Sequence, residues 1–166
     1  MRVLANGIAI EVEDTGESHL PAVLLVMGLG MQLIAWPGVF VAALQEAGFR
    51  VIRFDNRDAG LSQSFSHLGV PNLMLASMRH RLGLRVNAPY SLHDMAVDTL
   101  GVLDALDVPS AHLVGVSMGG MIAQRVALAA PARVLSLTSI MSSSGARYLP
   151  GPRPHVLKAL FSRPHG

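Results

Sequence analysis

The sequence predicts an α/β fold: a mostly parallel β-sheet with helices on both faces, preceded by an antiparallel hairpin at the N-terminus. Short runs of apolar residues alternate with segments of helical periodicity, which is typical of βαβ units around a parallel sheet. Near the start, Asn6-Gly7 separates two short alternating segments, and Asn-Gly is a strong signal for a tight hairpin turn. The 166 residues suit one domain with a sizeable core.

The first half of the chain predicts four strands and one helix. The apolar run 22–27 is rich in β-branched residues and ends in the close turn Gly28-Leu29-Gly30, as a buried parallel strand would. Helical spacing follows from Trp36 to Glu46, with Pro37 suited to the first turn. The next buried strand stops at Asp55. The predicted strands of this half are 2–5, 8–14, 22–27 and 50–54.

A long connection separates the two halves and is predicted to contain one short helix near 73–82. Ser91 then opens a helix, with Asp94 as its capping-box partner, and Pro109 ends it. The remaining predicted elements are a strand at 111–116, a helix at 118–130 and a strand at 134–141. A segment rich in Ser, Gly, Pro and Arg follows, so 1–145 is predicted to form the core domain and 146–166 a tail or the start of a lid.

Composition excludes several classes of protein. Hydrophobic residues make up 51% and charged residues 14%, so the chain is not expected to be disordered. No run of about eighteen apolar residues occurs, which predicts a cytoplasmic protein without a membrane partner. The absence of cysteine excludes disulfides and thiolate zinc sites, and no metal site is predicted.

Charge is distributed asymmetrically along the chain. All eleven acidic residues lie at or before Asp107, whereas all the charged side chains after Ser117 are basic. A basic half can bind nucleic acid, but these charges are spaced singly among apolar residues, without a cluster or interleaved aromatic rings. No nucleic-acid partner is therefore predicted.

The candidate catalytic residue is Ser117, in the pattern Gly115-x-Ser117-x-Gly119 between a predicted strand and a predicted helix. This pattern is typical of a strained turn that presents a nucleophilic serine, and the glycines let strand and helix approach closely. The alternative interpretation is a serine that caps the following helix. Gly120 extends the small-residue turn.

A serine nucleophile also requires donors that stabilise the oxyanion of the tetrahedral intermediate. The backbone N–H of Met118 is one candidate, and the N–H of Leu29, in the turn after the first parallel strand, is the other. Gly28 and Gly30 support this turn. The alternative interpretation of Gly28-Leu29-Gly30 is a tight turn that needs positive φ.

Three segments together resemble the N-terminal part of an α/β-hydrolase-fold enzyme. They are Leu25-Val26-Met27-Gly28-Leu29-Gly30, Asp55-x-Arg57-Asp58-x-Gly60-x-Ser62 and Gly115-Val116-Ser117-Met118-Gly119-Gly120. Within the superfamily, Met27-Gly28 and the Asp55 segment resemble the aclacinomycin methylesterase-like branch and related serine esterases. The resemblance implies hydrolysis of small-molecule carboxylic esters without a cofactor, by a serine, an aspartate and a histidine in that chain order.

The chain departs from this pattern after Ser117, where no Asp or Glu occurs. Only His155 and His165 follow, in the Pro/Arg-rich tail, and neither is assigned as the base. The five upstream histidines have ordinary interpretations as loop, surface or strand-edge residues: His19, His67, His80, His93 and His112. The fold is therefore expected to be truncated before its last strands, which would expose strand 134–141 as an edge open to self-association.

Within the hydrolase class, a cofactor-free haloperoxidase-like or peptidase-like activity also remains open, because the same serine turn serves all of them. Two functions of other classes remain open as well. Without an acid and a base, the chain could be an inactive hydrolase-like binding protein. Alternatively, the order strand, Gly28-x-Gly30, helix, strand and Asp55 imitates a dinucleotide-binding module, although Leu33 stands where the third glycine of that motif should fall.

Overall fold

A computed structural model describes residues 1–69, 78–79, 84, 88–146, 149, 153 and 156. Its centre is a six-stranded sheet in the order β1-β2-β4-β3-β5-β6. The strands are β1 (Arg2–Ala5), β2 (Ile8–Asp14), β3 (Ala22–Val26), β4 (Arg50–Phe54), β5 (Ala111–Val116) and β6 (Val134–Ile140). Pairing is antiparallel for β1 with β2 and for β2 with β4, and parallel for the rest. The predicted fold class and hairpin are confirmed.

Three helices connect these strands in the described part of the chain: α1 (Gly38–Glu46), α2 (Leu92–Ala105) and α3 (Met118–Ala129). Pro37 is the N-cap of α1, one position before the first turn. The predicted capping box at Ser91 and Asp94 is present at the start of α2. α2 ends at Ala105, before Pro109 is reached, because Asp107 turns the chain with φ +54°. Most of the helix predicted at 73–82 lies outside the described residues.

Helices cover the two faces of the sheet unequally. The larger core lies between the sheet and helices α2 and α3, and includes the fully buried Leu24, Leu103 and Ile122. A smaller cluster under α1 contains Leu25 and Trp36. Successive residues of a strand point to opposite faces, so Leu24 and Leu25 enter different clusters and all of β3 is buried. β3 is therefore the rigid centre on which the candidate site rests.

The β6 strand forms one end of the described sheet. It pairs in parallel with β5, and no described strand lies on its other side. Its central residues 135–139 are exposed, including Leu135 and Leu137 at 53% and 39%. The predicted edge at 134–141 is thus present as a strand with one row of backbone groups unpaired by the sheet.

Candidate active site

The loops that follow β3, β4 and β5 meet at one edge of the sheet. Val26 of β3 is in register with Phe54 of β4 on one side and with Gly115 of β5 on the other. Parallel strands end at the same level here, so three segments begin at this edge: the loop 28–32 (the Gly28 loop), the turn from Asp55, and Ser117. In open parallel sheets, ligands bind beyond the carboxyl ends of the strands.

Ser117 has a backbone conformation that residues with a side chain rarely adopt, with φ +55° and ψ −119°. Its N–H donates to the carbonyl of Ile140 at 2.9 Å, which ties this turn to the end of β6. Ser117 occupies the N-cap position of α3, but its side chain makes no capping hydrogen bond. The residue is exposed, and its Oγ has no hydrogen-bond partner among the described residues. The hydroxyl is therefore available to a ligand.

Glycines permit the tight crossing of α3 over β3 and β5. A Cβ atom on Gly119 would lie 2.1 Å from the carbonyl oxygen of Val26, and one on Gly115 would lie 2.4 Å from that of Gly119. A Cβ on Gly120 would lie 2.6 Å from the Cβ of Ser142. Side chains at these positions would push the first turn of α3 away from the sheet and displace Ser117.

The Gly28 loop packs directly against Ser117. A Cβ on Gly28 would lie 3.3 Å from the Cβ of Ser117 and 3.8 Å from its Oγ. In the described part of the chain, the N–H groups of Leu29 and Met118 donate no hydrogen bond. Positive φ occurs at Gly30, at +67°, but not at Gly28. Gly28 is thus distinguished by its closeness to Ser117, and Gly30 by its backbone conformation.

No carboxylate or imidazole among the described residues is hydrogen-bonded to Ser117. His112 lies at the opposite end of β5, roughly 16 Å away along the extended strand. Its Nδ1 is 2.8 Å from the Oγ of Ser136, and its ring meets Phe49 edge-on. His80, His155 and His165 fall outside the described residues.

The turn after β4 buries several polar side chains whose partners the sequence pattern does not reveal. Arg57 forms a two-pronged ion pair with Asp98 of α2, with both N···O distances 2.6 Å. Its guanidinium also lies 5.2 Å and 5.0 Å from the ring centres of Phe65 and Tyr90. The adjacent Asp-Asn pair is buried as well. A polar run directly after a buried strand was the only sequence signal for this network.

Packing around this turn changes the pKa values of Tyr90 and Asp58. Burial and the neighbouring Asp58 carboxylate raise the pKa of the Tyr90 phenol to about 12. Burial would raise the pKa of Asp58, but hydrogen bonds from the Phe65 N–H, Tyr90 and Ser64 and the charge of Arg57 hold it below its usual range. The turn therefore joins β4 to the start of α2 through charged and hydrogen-bonded contacts.

Comparison with known proteins identifies this arrangement. The family model for the alpha/beta hydrolase fold matches residues 21–160. The chain belongs to the α/β-hydrolase family. Membership agrees with the mixed sheet and with the three loops at its carboxyl edge.

Relatives of this α/β-hydrolase chain include a methylesterase and a hydrolase of another substrate. It is 36% identical over 142 residues to the rhodomycin D methylesterase DauP of Streptomyces sp. (strain C5), covering 86% of this chain and 42% of the relative. It is 32% identical over 172 residues to the 2-hydroxy-6-oxononadienedioate/2-hydroxy-6-oxononatrienedioate hydrolase of Burkholderia vietnamiensis (strain G4 / LMG 22486), covering 99% and 52%. The resemblance to the methylesterase branch is confirmed.

Among solved structures, the enol-lactonase from Burkholderia xenovorans LB400 matches with TM-score 0.61 and 28% identity, over 81% of this chain and 44% of that chain. The chain thus spans about half the length, or less, of the relatives it matches. The described helices include none that is long and apolar enough to cross a membrane.

Proposed function

We propose that this chain carries the nucleophile and the oxyanion donors of a serine hydrolase that acts on small-molecule carboxylic esters. The observation that carries the proposal is the exposed Ser117 hydroxyl, which has no hydrogen-bond partner among the described residues and lies on a backbone with φ +55° next to the Gly28 loop. The amides of Leu29 and Met118, which donate no hydrogen bond to another described residue, belong to the two segments that meet there. The methylesterase relatives support an ester as the substrate class.

The chemistry assigned to these groups is acyl transfer. The Oγ of Ser117 attacks the ester carbonyl carbon while its proton passes to a base, and the carbonyl oxygen becomes an oxyanion between the two amides. Collapse of this intermediate expels the alcohol and leaves an acyl-serine, which water hydrolyses. The described residues supply the nucleophile and the donors. The acid and the base would have to come from a segment outside them, and without them only residual catalysis is expected.

Labelling with a fluorophosphonate probe tests the nucleophile. The expected result is one modification per chain, mapped to Ser117 by mass spectrometry and lost in Ser117→Ala. Ser110→Ala is the matched control, because Ser110 lies at the opposite end of β5. Labelling is expected to be slow, because the base would come from outside the described residues. Equal labelling of both variants, or no labelling of the folded wild-type chain after prolonged incubation with excess probe, would contradict the assignment.

A second candidate is an inactive hydrolase-like binding protein. It is favoured by the lack of any hydrogen-bonded acid or base at Ser117 in the described part of the chain. This candidate predicts that an ester stabilises the chain against thermal unfolding, that the probe does not react, and that Ser117→Ala leaves the stabilisation unchanged.

The dinucleotide-binding alternative is disfavoured by the contacts of Asp55. Its carboxylate accepts the N–H groups of Leu33 at 2.6 Å and Leu61 at 2.9 Å, so it is not free to bind a ribose. Leu33, which replaces the third glycine, is itself buried. If NAD raised the thermal stability of the chain and the fluorophosphonate probe did not label it, the dinucleotide-binding alternative would be favoured instead.

Four further expectations belong to the proposal. Residues 1–145 would form the core domain, with 146–166 as a tail or the start of a lid. The location would be cytoplasmic, which fractionation of cells expressing the chain would test. Copies of the chain would associate through the exposed edge at 134–141, and no nucleic acid, membrane or cofactor would be required.

A further inference from the structure

The Gly28 loop has little of its own to hold it in place. Between its ends, it contains one backbone hydrogen bond, from the Met31 N–H to the Gly28 carbonyl, and that bond is long at 3.3 Å. The side chains of Leu29 and Met31 are 77% and 49% exposed, so neither anchors the loop by packing. The position of the Leu29 N–H must therefore be fixed from the two ends.

Both ends are held by consecutive side chains of the turn after β4. At the first end, the Nδ2 of Asn56 donates to the carbonyl of Met27 at 2.9 Å. At the other end, the Leu33 N–H donates to the Asp55 carboxylate at 2.6 Å. Met27 and Leu33 are themselves 5% and 3% exposed, and Asp55 and Asn56 are each 3% exposed. These are buried bonds, where a lost partner leaves an unsatisfied polar group.

The Asp55 anchor is in turn fixed by the rest of its turn. Its second carboxylate oxygen accepts the Leu61 N–H at 2.9 Å, and its backbone carbonyl accepts the Ser62 hydroxyl at 2.6 Å. A Cβ on Gly60 would lie 1.9 Å from that second oxygen, so only glycine leaves room for the carboxylate. The turn is thus a rigid support that reaches the loop at two points.

We propose that Asn56 is a positioning residue for oxyanion stabilisation: its amide holds the Met27–Gly28 peptide so that the next N–H, that of Leu29, faces the reacting oxygen. This inference rests on the proposed function. The Met27 carbonyl and the Gly28 N–H share one peptide plane, and glycine at position 28 allows the next plane to rotate easily. Asn56 acts through the Met27 carbonyl and has no contact with substrate in this role.

The test measures the saturation kinetics of fluorophosphonate labelling at Ser117, which separate probe binding from the bond-forming step. Asn56→Asp keeps the size of the side chain but places a carboxylate oxygen against the Met27 carbonyl, and Asn56→Ala removes the donor. Both variants are expected to lower the maximal labelling rate about tenfold or more, toward the loss seen when an oxyanion donor is removed. The half-saturating probe concentration is expected to stay within about twofold, because the binding surface is retained.

Thr99→Val is the matched control. Thr99 is fully buried, and its Oγ1 donates to the Met95 carbonyl at 2.8 Å within α2, so the variant loses one buried hydrogen bond that does not reach the loop. It is expected to label at the wild-type rate. Circular dichroism confirms that each variant is folded, and Asn56→Asp carries the test if Asn56→Ala does not fold.

Two results would overturn the inference while leaving the nucleophile in place. One is an unchanged maximal rate in the Asn56 variants with a lower free energy of unfolding, which would make Asn56 purely structural. The other is an equal loss of rate in Thr99→Val. A folded wild-type chain that does not label even after prolonged incubation with excess probe would overturn the proposed nucleophile itself, and the positioning role with it.

Discussion

The residue Ser117 combines an unfavourable backbone conformation with a side chain that forms no hydrogen bond to any other described residue. Left-handed φ at a residue with a Cβ costs of the order of 1–3 kcal/mol and persists only where the surroundings enforce it. Two contacts enforce the conformation of Ser117: the hydrogen bond from its N–H to the Ile140 carbonyl, and the close packing of Gly115 against Gly119. The hydroxyl gains nothing from this conformation within the described chain, which is why it supports a ligand-facing role.

The contact of Gly119 with β3 yields a stability prediction. Gly119→Ala would place a Cβ 2.1 Å from the Val26 carbonyl oxygen, against a backbone that cannot move aside. We expect the free energy of unfolding, measured by urea denaturation, to fall by about 1–3 kcal/mol. Gly38→Ala is the control: nothing lies within 4 Å of its Cβ, and it should be neutral or stabilising by up to about 1 kcal/mol. Equal effects would contradict the steric argument.

The Tyr90 phenol gives a prediction for alkaline pH. Its pKa is raised from 10.0 to about 12, so the folded chain retains the phenolic proton that the unfolded chain loses. The contribution of Tyr90 to stability is therefore complete below pH 10 and is lost as the pH rises to about 12. Absorbance titration should show a late phenol that disappears in Tyr90→Phe. A folded wild-type chain whose phenols all titrate near pH 10 would contradict the raised pKa of Tyr90.

The first and last residues of every described strand lie within one residue of the predicted bounds. These bounds could be predicted because continuous apolar runs and the Asn6-Gly7 turn are local features of the sequence. The end of α2 was harder to predict: Pro109 marks the latest possible end, whereas the chain turns at Asp107 through its left-handed φ. The anchors at Asp55 and Asn56 could not be predicted, because their partners are set by strand register. The same holds for the Arg57–Asp98 pair, which joins residues far apart in sequence.

The Arg57–Asp98 pair fastens α2 to the turn after β4. Its side chains are only 7% and 2% exposed, so Asp98→Ala would leave an uncompensated buried guanidinium. We expect a loss of about 3–5 kcal/mol in the free energy of unfolding. Asp104→Ala on the same helix removes a partly exposed pair with Arg133 and should cost about 0–1 kcal/mol. Similar losses from the two variants would mean that burial of the pair is unimportant.

Across the molecule, the described helices cover the two faces of the sheet unequally. The α2 and α3 face is closed over a large cluster, whereas the other face is covered by α1, none of whose residues is fully buried. β6 carries no charged residue or proline, the usual means of protecting a sheet edge. In the described part of the chain, β6 therefore combines exposed leucine side chains with a row of backbone groups that no other strand pairs.

Self-association through β6 is therefore expected, and light scattering measures it. The wild-type chain should form dimers or larger species at moderate concentration, and Leu137→Lys, which puts a charge on the edge strand, should shift it toward monomer. Leu128→Lys on α3 adds the same charge at an 84% exposed position away from the sheet and should leave the mass unchanged. A monodisperse wild-type monomer would contradict the proposal.

The central position of β3 also has a consequence for folding kinetics. Val26 and Gly115 are neighbours in the sheet although they lie about 90 residues apart in sequence, so their pairing closes a long loop. Such non-local pairing slows folding. The Gly28 loop and Ser117 meet only after β3 and β5 have paired, so the candidate site is expected to form late. In a refolding experiment, probe reactivity at Ser117 should lag behind the recovery of helical signal.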